Sequence, residues 1–213
     1  MSTLAIDASG ERAGIAVLAQ DGAVAVKLFA PGRPGLIEAL PPLLQQAVAG
    51  RRIAQVAVTI GPGSFTGLRT AISLAQGFAA AAGVPLLGVT VAQSYAAAFP
   101  VLHRPLWVAI RARRNRIFLI RDGVAEAFAD ADLPRTRQPV AVAGDAANEV
   151  AALLAAAGGD VMLTNARRLD PVWVAHAALA RQAAGLPAHA VQPVYVDPPE
   201  AKLPAAGLRP PPV

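Results

Sequence analysis

The sequence contains no cysteine. That excludes a disulfide framework, thiolate zinc sites, iron–sulfur clusters and a cysteine nucleophile, and it fits a reducing compartment. Acidic residues are missing from a long stretch: none lies between Glu38 and Asp122. A long apolar run is missing as well. The most apolar segment, residues 77–92, contains Pro85 and three glycines, so it is too short and too broken to cross a bilayer. No basic segment precedes an apolar core at the N-terminus, so no secretory signal is expected. These absences lead to the expectation of a soluble, cytoplasmic protein without membrane contact.

What is present needs one correction before it is read. The hydrophobic share is 54%, but 50 of the 213 residues are alanine, and the remainder is ordinary for a globular protein. A chain of this length forms one or two domains and buries a sizeable core without staples. The net charge is +5, unevenly spread: residues 39–121 hold nine arginines and no acid, whereas the rest carries 14 acids against 10 basic residues. Such segregation points to an anionic partner or to a scattered, solvated surface.

Short apolar runs at 4–7, 14–18 and 24–29, separated by polar turns, predict an antiparallel meander. Helical spacing from Leu36 to Val48 is interrupted by Pro41-Pro42, so the helix kinks or begins there. A buried strand over 53–60, a helix over 65–82 stopped by Gly83, a strand over 86–89 and a helix over 92–99 complete a first unit, residues 1–102. Strands are expected at 106–110, 117–120, 140–143, 161–164 and 194–196, and helices at 146–157 and 172–184, the latter capped by Asp170 and Pro171. These form a second, smaller unit, residues 103–197, followed by a proline-rich tail, residues 198–213. A meander followed by alternating helices and strands gives a mixed sheet with helices on its faces, an α/β fold.

The strongest motif is Gly61-Pro62-Gly63-Ser64-Phe65-Thr66-Gly67-Leu68-Arg69. A glycine-rich turn before a helix holds an anion through free N–H groups, or is a tight turn with Ser64 as the helix cap. It lacks the lysine of a P-loop, the spacing of a dinucleotide fingerprint and the flanking glycines of a nucleophile elbow. Asp7 closes the first strand, where an acid holds a hydrated metal beside a nucleotide phosphate or caps its own turn. No second acid accompanies it, so no magnesium site is expected. His103, His176 and His189 lie far apart, and no nucleophile–base pair supports a peptidase.

The 65–82 helix is apolar over most of its circumference. Leu68, Ile72, Ala75, Ala79 and Ala82 form one face, and Ala71, Leu74, Phe78 and Ala81 another. Such a helix is buried on more than one side, against its own chain or against a partner. Arg111, Arg113, Arg114 and Arg116 crowd the turn between two strands. They suit phosphate or carboxylate contacts, or a solvated hairpin tip, but lack the aromatics of a stacking platform.

The residues Leu4-Ala5-Ile6-Asp7-Ala8-Ser9, the Leu40-Pro41 helix start and the nine-residue glycine motif, continuing into Gly83-Val84-Pro85-Leu86-Leu87-Gly88-Val89, resemble the TsaB (YeaZ) family. The likeness covers residues 1 to about 100 well and is thin beyond. It implies an actin-like/Hsp70-like ATPase fold of ribonuclease H-like type, with two mixed-sheet domains. It also implies a non-catalytic accessory subunit in tRNA threonylcarbamoyladenosine formation. The implied partners are TsaD and TsaE, with a homodimer in the absence of TsaD and tRNA reached only through the complex. No cofactor is expected to be tightly bound, ATP and magnesium belonging to the partners.

The resemblance places partner contacts at Leu40, Leu43, Leu44, Val48, Thr66, Leu68, Arg69, Ile72 and Ala75. Nucleotide or phosphate contacts would be Asp7, Ser9, Gly63 and Ser64, and RNA or acidic-partner contacts Arg111, Arg113, Arg114 and Arg116. The sequence departs from the family where Arg111-Ala112-Arg113 replaces Asp-Ala-Arg, where Ala71 stands for a common glycine, and where Pro31 to Gly35 replaces a histidine-containing segment. The rival expectation is a magnesium-dependent ATPase or small-molecule kinase of the same fold, working through Asp7 and the glycine turn.

Overall fold

The computed structural model describes residues 2–30, 35–112, 116–129 and 132–196. The expected tail and the pair Arg113 and Arg114 lie outside them. Strands β1 (Ser2–Asp7), β2 (Gly14–Leu18) and β3 (Val24–Phe29) form the meander. Helix α1 (Leu40–Val48) begins at Leu40 rather than kinking, because Pro41 and Pro42 occupy its first turn, where a missing N–H removes no bond. Strand β4 (Ile53–Gly61) leads into α2 (Phe65–Ala82). Gly83, at φ 63°, ends α2 in the left-handed conformation that favours glycine. Strand β5 (Leu86–Thr90) then passes to α3 (Val91–Ala97) through a reciprocal cap between Thr90 and Gln93.

The second half repeats this plan. It comprises β6 (Leu106–Arg111), β7 (Arg116–Arg121), β8 (Val124–Ala129), β9 (Val140–Ala143), α4 (Ala147–Ala156), β10 (Val161–Leu163) and α5 (Pro171–Ala183). The two sheets have orders β3-β2-β1-β4-β5 and β8-β7-β6-β9-β10, each an antiparallel meander extended by two parallel strands. The α/β expectation of two mixed sheets therefore stands.

Three readings need correction. Strand β8 was not foreseen: Val124-Ala-Glu-Ala-Phe-Ala129 is poor in β-branched residues, and only its half-buried alternation marks it. Residues 194–196 form no strand, although the Val194 N–H donates to the Ile60 carbonyl at 2.7 Å. Finally, α5 returns to the first sheet, packing on β1, β2 and β4 rather than closing the second unit.

In the first sheet most large buried side chains share one face, although Leu18 and Val89 lie on the other. Leu4, Ile6, Ile15, Val17, Val56 and Val58 face α1 and α2 in one core. Their sequence neighbours Ala5, Ala16 and Ala57 face the other way, into the core built with Ala175, Ala177 and Ala178 of α5. Alternation at period two sets the faces, and alanine on both surfaces draws helix and sheet close together. Helices α3 and α5 thus lie between the two sheets, α1 and α2 cover the outer side of the first sheet, and α4 covers that of the second.

Candidate functional site

The end of β1 and the start of α2 meet backbone to backbone. The Ser64 N–H donates to the Ser9 carbonyl at 2.7 Å, and the Gly67 N–H donates to Ser64 Oγ at 3.3 Å. A Cβ on Gly63 would stand 2.3 Å from the Ser9 oxygen, and one on Gly67 would stand 2.0 Å from the Ala8 oxygen. Both glycines are therefore required by close approach. At the turn proposed as an anion cradle, Gly63 and Gly67 pack on the chain's own backbone, and the N–H groups of Ser64 and Gly67 are already bonded.

Asp7 is buried, with 1% of its surface exposed. Its Oδ1 accepts the Ser9 N–H at 3.1 Å, and Thr59 Oγ1 lies 2.5 Å from the same oxygen and 3.2 Å from the Ile6 carbonyl. Desolvation pushes its pKa up, against the hydrogen bonds from Thr59 and Ser9 and the nearby Arg12 charge, which lower it. It caps its own turn. Among the described residues no group of three or more His, Asp or Glu side chains could hold one.

A small cleft opens at Asp7, between the two sheets, and is lined by Glu11, Arg12, Tyr95, Asp145 and Arg167 among others. Its charged groups are largely engaged. Arg12 lies 3.7 Å from the centre of the Phe29 ring, and Arg167 Nε donates to Asn148 Oδ1 at 2.8 Å. Asp145 accepts the Arg111 N–H at 2.7 Å, and burial moves its pKa up.

The helix pair is divided differently from the sequence expectation. Leu40, Leu44, Leu68, Ile72 and Ala75 point inward and are buried in the chain's own core, so they cannot be partner contacts. Leu43 and Val48 are half-buried, whereas Thr66 and Arg69 are exposed. The outer face consists instead of Pro41, Gln45, Thr66, Arg69, Ser73 and Gly77, together with their small or amide neighbours. The apolar surplus of α2 had hidden this division, since alanine serves inside and outside alike.

The arginine turn is likewise less free than its sequence implies. The Arg111 side chain pairs with Glu149 of α4. Arg116 begins β7 and is half-buried. Sequence reasoning missed Tyr195, whose ring stands 5.6 Å from that of Phe65 and whose hydroxyl accepts from Arg69 Nε at 2.8 Å. The available signal was Phe65, an aromatic in the first turn of α2 that lies off the helix's buried face.

Fold and site together describe an α/β chain of two mixed five-stranded sheets whose β1 acid is hydrogen-bonded within its own turn and to Thr59. A family model described as "TsaD: tRNA N6-adenosine threonylcarbamoyltransferase" matches residues 35–180, and the chain belongs to that family. It is 32% identical over 101 residues to the tRNA threonylcarbamoyladenosine biosynthesis protein TsaB of Bacillus subtilis (strain 168). That match covers 46% of this chain and 44% of the relative, so it spans less than half the length of the curated protein. A Pseudomonas aeruginosa crystal structure, described as an uncharacterized protein with similarity to peptidase YEAZ, superposes with TM-score 0.71 at 20% identity, covering 92% of this chain and 99% of that one. An activator of 2-hydroxyisocaproyl-CoA dehydratase from Clostridium difficile, with bound ADPNP, superposes with TM-score 0.52 at 9% identity over 87% and 97% of the two chains. These two structural likenesses speak for the fold. Among the described residues no helix is long and apolar enough to cross a membrane.

Two outcomes follow from the packing of this site. Gly67→Ala is expected to lower unfolding free energy by about 1–3 kcal/mol, since the Ala8 carbonyl must move. Gly77→Ala on the exposed face of the same helix, with nothing within 4 Å of an added Cβ, is expected to raise it by about 0.5–1 kcal/mol. Urea unfolding of both variants measures the contrast. A carboxyl whose pKa is raised on folding favours the native state while protonated. Its contribution is complete below the ordinary value of 3.8 and is lost as pH rises through the folded value. Asp7→Asn is therefore expected to equal or exceed the wild-type stability at pH 8, with its advantage shrinking towards pH 4 in parallel melts.

Proposed function

We propose that this chain is a non-catalytic accessory subunit in the threonylcarbamoylation of the anticodon-adjacent adenosine of tRNA, pairing with TsaD through the outer face of α1 and α2. The observation that carries the reading is the state of Asp7. The acid at the end of β1 is buried, its pKa pushed up by desolvation, and it is tied to Thr59 and Ser9. The glycine turn that would cradle a phosphate is packed on Ala8 and Ser9. Both features count against the rival ATPase or kinase and support the reading that the chemistry resides in TsaD, with TsaE and its magnesium–ATP joining the assembly. Family membership supports the tRNA-modifying role.

The partner face is the side of the helix pair that the domain core does not consume. It presents Thr66, Ser73, Gly77, Ala80 and Ala81 on α2 and Pro41, Gln45 and Gln46 on α1, all exposed and uncharged. Small side chains allow another helix pair to approach closely. In the absence of TsaD the same face serves a second copy of this chain. The assembly works in the cytoplasm, where its tRNA is.

Ser73→Arg places a long cation on this face without touching the core. It is expected to weaken TsaD binding by about tenfold or more while leaving the melting temperature unchanged, as read by calorimetric titration. A wild-type chain that fails to bind TsaD, or a wild-type chain that binds magnesium–ATP in a manner lost in Asp7→Asn, overturns the reading.

A further inference from the structure

Residues 186–196, after α5, run back over the first sheet. His189 bridges to Gly88, and the Gln93 amide nitrogen lies 3.0 Å from His189 Nε2. Gln76 Nε2 donates to the Val191 carbonyl at 3.4 Å, Val191 joins the α1–α2 core, and the Val194 N–H donates to the Ile60 carbonyl at 2.7 Å. Gly61 admits this strap, since a Cβ there would stand 2.8 Å from the Val194 oxygen. The strap delivers Tyr195 to the first turn of α2.

There Arg69 is bracketed. Its guanidinium carbon lies 3.8 Å from the centre of the Phe65 ring and 5.7 Å from that of Tyr195, and its Nε donates to the Tyr195 hydroxyl at 2.8 Å. Phe65 is 49% and Tyr195 43% exposed, so the bracket stands on the surface rather than in a core. The flat face and the Nε are used, while the two Nη groups have no partner among the described residues. A guanidinium held by stacking and one hydrogen bond loses little further freedom on binding, and its open edge fits a carboxylate with two parallel bonds.

Arg69 is also the single charged residue of α1 and α2 together. A phosphate backbone is recognised by repeated cations along a groove, which this face lacks. One cation on an otherwise uncharged, small-residue helix face calls for one opposing carboxylate on a packed protein surface. We propose that Phe65, Arg69 and Tyr195 form a preorganised receptor for a single Asp or Glu carboxylate of the partner protein. Tyr195 is the positioning residue that ties the C-terminal strap to partner binding. The proposal rests on the functional reading above and adds the chemistry of its anchor.

Calorimetric titration of TsaD into the full-length chain at two salt concentrations tests it. Arg69→Lys is expected to bind about tenfold more weakly yet keep the wild-type salt dependence. Arg69→Gln is expected to bind more weakly and lose part of that salt dependence. Tyr195→Phe, which keeps the ring and loses the hydroxyl, is expected to cost about threefold in affinity with an unchanged melting temperature. A wild-type chain that does not bind TsaD removes the functional reading and this proposal with it. A wild-type chain that binds, with all three variants equal to it, overturns the proposal alone. It is equally overturned if Arg69→Gln weakens tRNA binding, or self-association of this chain, while TsaD affinity stays the same.

Discussion

Much of the first domain depends on one contact: the glycines of the turn before α2 resting on the carbonyl oxygens of Ala8 and Ser9. This contact fixes the start of α2 against the end of β1 at a separation no side chain permits. Asp7 is enclosed as a consequence, with Thr59 and the Ser9 N–H as its partners. An enclosed carboxyl is costly to keep charged where it sits, which desolvation shows by raising its pKa. The packing that makes the turn rigid is thus also what encloses the acid.

Alanine plays the corresponding part on a larger scale. On β1, β2 and β4 most of the large residues face the α1–α2 side, while Ala5, Ala16 and Ala57, with Leu18, face the side that receives α5. Because α5 arrives from the far end of the chain, it ties the second half of the sequence to the first sheet, and the strap that follows it continues along the same sheet. The high hydrophobic share therefore describes close helix–sheet packing rather than an unusually greasy core.

Much of this was legible in the sequence. Proline at the start of α1 and α5, Ser64 and Gly83 bounding α2, and the meander turns placed most elements within a residue or two, because each signal is local. What escaped reading was non-local. Strand β8 is held by pairing with β7 rather than by propensity. The return of α5 and the strap depends on surfaces far away in sequence. The inward and outward faces of α2 could not be separated because alanine does not distinguish them, so Leu68 and Ile72 looked available when they are the domain's own core. Tyr195 gains its role only through a neighbour 126 positions away.

Charge segregation along the chain is the clearest case of a sequence pattern that folding rewrites. The acid-free stretch and the acidic remainder meet in space. Arg104 pairs with Asp160 at 2.7 Å, Arg121 pairs with Glu126, and Arg111 pairs with Glu149. Each pair contributes little stability at the surface, yet together they remove three arginines from any shared basic surface. Arg51 turns to the Ala49 carbonyl at 2.9 Å, at the far end of α1. The segment that reads as nucleic-acid-like in one dimension is thereby reduced, on the helix-pair face, to Arg69. A lone, oriented cation on a neutral helix face favours selectivity over strength: it disfavours partners without a matching carboxylate more than it attracts anions in general. That electrostatic character suits the subunit interface proposed for this face better than a surface that grips RNA.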